Sequence, residues 1–159
     1  MTAAAEKRSV TIAEWYALAQ QGVVLPMRVP LDGDSMRPLI RRGQDMVSIV
    51  PLKRPLKRGD VVLFEFPTGR YVVHRVYRLR DGQVRTLGDN CLIPEPWLPE
   101  SSVLGLVAQF ERNGRVISLD CRLARAFGRV WMAGLPLRRT YYRCRSFGGR
   151  TLRKLGLRR

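Results

Sequence analysis

Histidine is nearly absent. The chain has one among 159 residues, so no metal site built from several imidazoles can exist. Cysteine is scarce as well: Cys91, Cys121 and Cys144 are odd in number, widely spaced and never in a Cys-x-x-Cys pair. That excludes a zinc-ribbon spacing, predicts no disulfide framework and favours a reducing compartment. Long apolar runs are missing too. No window approaches the roughly 18 uncharged apolar residues of a membrane span, so none is expected. Residues 1–10 are polar and basic, and Thr11-Ile12-Ala13-Glu14-Trp15 supplies no apolar core behind them, so no secretory signal is expected. These absences predict a cytoplasmic protein, with peripheral contact at the inner face of the membrane as the option its charge leaves open.

Acids are the other shortage, 13 against 29 bases, for a formal charge of +16. The imbalance is local. Residues 119–159 hold twelve Arg or Lys against the single acid Asp120, while the preceding 118 residues are only +5. A basic tail of this kind attracts anionic lipid, nucleic acid or an acidic partner. An apolar content of 45% and a mean hydropathy of −0.17 fit one ordinary folded core.

What is present reads as β structure between two helical ends. Ile12, Trp15, Tyr16, Leu18 and Ala19 follow the N-cap candidate Thr11 at helical spacing, predicting a short helix over 11–21 that packs on the domain. Val23–Val29, Met46–Val50, Val61–Phe66, Tyr71–Leu79, Val84–Leu87, Leu104–Phe110 and Arg115–Leu119 are short and rich in β-branched and aromatic residues. Glycine turn signals separate them, and Asp81-Gly82 and Asn113-Gly114 predict tight hairpins. The fold class expected is mainly β, a small barrel-like sheet over 23–118, with an N-terminal helix in 1–22. In 119–159, Leu119, Leu123, Ala126, Phe127, Val130, Trp131 and Leu135 form an apolar stripe opposite Arg122, Arg125 and Arg129. This predicts a basic amphipathic helix stopped near Gly134-Leu135-Pro136. It either lies on a membrane surface or packs on the sheet.

Four stretches stand out. Asp32-Gly33-Asp34-Ser35-Met36-Arg37-Pro38-Leu39 sets a serine between a glycine, which allows backbone angles a side chain would forbid, and a proline, which fixes its own φ. Gly59-Asp60-Val61-Val62-Leu63-Phe64, Tyr71-Val72-Val73-His74-Arg75-Val76 and Gly88-Asp89-Asn90 follow. In this order they resemble the boxes of the signal peptidase and phage-repressor superfamily of serine peptidases, over about Val29 to Val107.

The resemblance implies Ser35 as nucleophile, followed by the family's Met36 and Pro38, and His74 as general base. Histidine at that place is similar to the archaeal and endoplasmic-reticulum type signal peptidases; their bacterial relatives and the repressors carry lysine. An imidazole with an ordinary pKa near ~6.5 takes the serine proton at neutral pH without the desolvation a lysine needs. Gly88-Asp89-Asn90 makes Asp89 the preferred orienting acid, with Glu95 in Pro94-Glu95-Pro96 as the alternative. Gly59-Asp60 reads as a structural turn. Gly33 stands where signal peptidases often have a serine, so an oxyanion would rely on backbone donors such as the Ser35 N–H. The activity implied is a serine endopeptidase that removes a leader or pro-segment from a peptide or protein, with no cofactor or metal. Two rival readings are a non-catalytic peptide-binding module of the same fold and a nucleic-acid-binding regulator acting through the tail. The second lacks a helix-turn-helix, since the first 22 residues hold one predicted helix.

Overall fold

Short β-branched segments separated by glycine turns pair into one antiparallel sheet, described here by a computed structural model over residues 10–22 and 26–142. The strands are β1 (Met27–Pro30), β2 (Asp45–Val50), β3 (Val61–Glu65), β4 (Tyr71–Arg80), β5 (Gln83–Leu87), β6 (Leu98–Pro99), β7 (Val103–Arg112) and β8 (Arg115–Ser118). Their order is β1-β2-β7-β3-β4-β5-β6, with β8 also on β7. The chain is mainly β, and the sheet curls into a half-barrel. The first part of the strand expected over Val23–Val29, the arginine-rich stretch after 142 and Cys144 lie outside the described residues.

Both predicted hairpins form. Asp81 and Gly82 have φ of 46° and 70°, and Asn113 and Gly114 have 50° and 74°. Two successive positive φ values twist a two-residue turn to match its strands. The sheet buries a cluster on each face. Met27, Val47, Ile49, Val61, Leu63, Val73 and Phe110 belong to one; Val62, Phe64, Val76, Val84 and Leu106 belong to the other.

Helix α1 (Ile12–Gln20) starts with a reciprocal Thr11–Glu14 capping box and sends Trp15, 5% exposed, into the first cluster. The strand beneath accommodates it with Gly105, where a Cβ would meet the indole at 2.9 Å. Helix α2 (Arg122–Ala133) also packs on the domain, burying Gly128 and Met132. The expected stop at Gly134-Leu135-Pro136 is only an interruption. Residues 135–142 are helical again, because Pro136 falls in the first turn of the new segment, where no N–H is needed. Arg138 N already bonds Gly134 O at 3.0 Å. Among the described residues no helix is long and apolar enough to cross a membrane.

Three aspartates are buried, each against an arginine: Asp45 with Arg112, Asp60 with Arg54 and Asp89 with Arg75. A buried carboxylate survives only when paired and hydrogen-bonded, so these three arginines hold the domain's structure. Asp60, which also accepts from Lys57 N at 2.8 Å, is the structural turn residue expected.

Candidate active site

The Ser35 turn is anchored at both ends. Met36 and Ile40 are each 1% exposed in the core cluster shared with Trp15, and Ile40 N closes on Met36 O at 3.0 Å. Beyond them, Arg112 donates to Leu39 O at 2.7 Å and grips the buried Asp45 with Nε and Nη2. Ser35, between Met36 and the exposed Gly33-Asp34, stays partly accessible. The Arg37–Pro38 peptide is cis. Gly33 differs from expectation: its φ is not positive, and a Cβ there would meet nothing within 4 Å. Nothing in its backbone requires glycine, and it lines the cleft without a side chain.

His74 comes from β4, opposite Val62 of β3. Side chains alternate along a strand, so His74 shares a face with Val62 and lies tilted against Phe64, 6.0 Å between ring centres. Arg75 takes the other face. The imidazole is 4% exposed. Burial, with the Arg70 guanidinium adding to it, pushes its pKa down to about 4. This is well below the ordinary value the sequence suggested, because desolvation penalises the charged ring. His74 is therefore neutral at neutral pH.

Gly88 ties the two boxes together. An alanine Cβ at 88 would lie 2.8 Å from Ser35 O, 3.0 Å from His74 Nε2 and 2.7 Å from Cys91 Sγ. Both boxes thus converge on one point, and only a residue without a side chain fits there. Asn90 fastens the contact, donating its N–H to Ser35 O at 2.7 Å and its Nδ2 to Asp34 O at 3.3 Å. Ser35, His74, Glu95, Cys91, Arg70 and Tyr71 line one cleft of about 510 Å³.

The acid beside the imidazole is Glu95, not Asp89. Glu95 Oε1 is 3.4 Å from His74 Nδ1, a buried nitrogen with no hydrogen-bond partner among the described residues. Glu95 is held there by its N–H to Thr86 O at 2.9 Å and by Arg85 Nε on its carbonyl at 2.8 Å. The Asp89 carboxylate is bound bidentately by Arg75, at 2.8 and 2.7 Å. Its preference as orienting acid is corrected for that reason: both of its oxygens are committed elsewhere.

Sequence reasoning missed four contributors. Arg70 faces the imidazole electrostatically. Arg75, 2% exposed, holds Asp89 and donates to Gly59 O at 2.8 Å. Trp131 Nε1 and Arg138 Nη1 both donate to Asp89 O, with the Arg138 guanidinium 4.5 Å over the Trp131 ring. A cation inside Val72-Val73-His74-Arg75-Val76 was the available signal for Arg75, since a charge amid apolar strand residues needs a buried partner. Nothing local marked Trp131 or Arg138.

No family model matches this chain, and no curated protein matches it. The cysteines at 91 and 121 are free thiols. Burial raises the pKa of Cys91, so it enters the cleft as a neutral, weakly reactive group.

Proposed function

We propose that this protein is a serine peptidase in which Ser35 attacks the scissile carbonyl, His74 removes the serine proton and Glu95 stabilises the imidazolium that results. The observation that carries the reading is the position of the imidazole. It is buried and neutral, its Nε2 beside Gly88, which also abuts the Ser35 main-chain carbonyl, and its Nδ1 faces the Glu95 carboxylate at 3.4 Å. A neutral base with an acid behind it is the arrangement general-base catalysis requires. The 3.4 Å gap between Nδ1 and Glu95 closes to a charge-assisted hydrogen bond as the ring gains its proton, since such bonds tighten when charge develops. His74 then returns the proton to the leaving amine.

The substrate is an extended peptide, a leader or pro-segment. The cleft runs between Leu31–Gly33, just after the edge strand β1, and residues 70–73 at the start of β4, and an edge strand offers unpaired backbone groups to such a chain. A fluorophosphonate probe tests the reading. Wild type should be labelled at Ser35, Ser35→Ala should not, and His74→Ala should react at least about 100-fold more slowly. Equal labelling of all three would reassign the cleft to peptide binding without hydrolysis.

A further inference from the structure

The helix that holds the Gly88-Asp89-Asn90 loop has a second face. Leu123, Phe127, Val130, Leu137 and Tyr141 fall on one side of α2 and of the helical segment 135–142, with Gly134 in the gap between Val130 and Leu137. They are 80, 43, 73, 78 and 60% exposed. Gly128, Met132 and Leu135 form the opposite, buried side. Single exposed apolar residues are ordinary, but a continuous row of five marks an interaction surface.

Charge selects the occupant. Arg122 and Arg129 are exposed along one flank of the row, and no Asp or Glu occurs from residue 121 to 159. A second copy packed on this face would set arginine against arginine. Nucleic acid would take the arginines but offers nothing to leucine and valine. An anionic lipid surface takes both: the apolar side chains enter the acyl boundary and the guanidinium heads stay among the phosphates. Trp131, expected in this stripe, is not part of it, because its indole is turned inward onto Asp89 O.

We propose that the outer face of α2 and of residues 135–142 lies on an anionic bilayer, holding the protein peripherally at the membrane while the inner face holds the Gly88-Asp89-Asn90 loop. This goes beyond the peptidase reading and stands without it. The test is sedimentation of the full chain with phosphatidylcholine–phosphatidylglycerol vesicles and with phosphatidylcholine alone. Wild type should bind only the anionic vesicles. Leu123→Glu/Val130→Glu/Leu137→Glu should weaken that binding at least roughly tenfold, while its circular dichroism and melting temperature stay those of wild type. Arg122→Gln/Arg129→Gln should weaken it less and lower its salt dependence. Several results would overturn the proposal: no vesicle binding by wild type, unchanged binding by the triple variant (which would assign the affinity to residues 143–159), preference for duplex DNA at the same salt, or a dimer that the same substitutions dissolve.

Discussion

Asp89→Asn separates a structural from a catalytic role for the residue that motif reasoning placed in the site. Arg75 and Asp89 have side chains only 2% and 1% exposed and are joined by two hydrogen bonds. Asparagine keeps the shape but removes the charge, so a buried guanidinium would be left with Gly59 O and one neutral acceptor. Breaking a buried pair from one side costs about 3–5 kcal/mol, a large share of the ~5–15 kcal/mol that holds a domain folded. For a chain of this length each kcal/mol moves the melting temperature by about 2–4 °C, so a fall of roughly 6–20 °C is expected by calorimetry. Glu95→Gln should behave in the opposite way. Its side chain is 25% exposed and has no arginine to strand, so stability should change by less than about 1 kcal/mol while hydrolysis falls. Arg75→Met/Asp89→Leu should recover much of what Asp89→Asn loses, because removing both charges removes the desolvation cost. An Asp89→Asn protein that melts like wild type yet has lost hydrolysis would refute this reasoning and return Asp89 to the catalytic group.

The acid limb of kcat/KM should have its midpoint near pH 4, with a plateau from about pH 5 to 8, because desolvation has already lowered the His74 pKa to about 4; a midpoint at 6.5 would show a solvated imidazole. The same shift sets a stability slope. Between pH 6.5 and 4 the unfolded chain takes up a proton that folded His74 refuses, so stability is full above 6.5 and falls by up to about 3 kcal/mol as the pH drops to 4. Urea titrations of wild type and His74→Gln should differ in that window and run parallel above it. Gly88→Ala should cut hydrolysis by more than about tenfold, since its Cβ would displace the Ser35 carbonyl or His74 Nε2; wild-type kinetics would mean that the two boxes do not meet there. Gly128→Ala puts a Cβ 2.4 Å from Arg75 Nη1, so it should destabilise by about 1–3 kcal/mol, and unchanged melting would show that α2 does not seat on Arg75.

The β elements and both hairpins were legible because their causes are local. Alternating β-branched residues and an Asp-Gly or Asn-Gly pair prescribe strand and turn wherever they occur. Ser35 and His74 stood out in the sequence as a serine turn and a strand histidine, and their sharing of one cleft is what the structure adds. Tertiary structure decided the rest. Whether Asp89 or Glu95 faces the imidazole depends on which side of β4 each residue meets, and Arg75, one position from His74, claims Asp89 because alternation turns it to the opposite face. The His74 pKa is a property of burial, which no strand pattern contains. The direction of Trp131 was equally hidden. An apolar stripe shows that a helix has a preferred side, but only the packing of Gly128 against Arg75, and the Asp89 carbonyl waiting for a donor, determine which residues of that stripe turn inward and which are left outside.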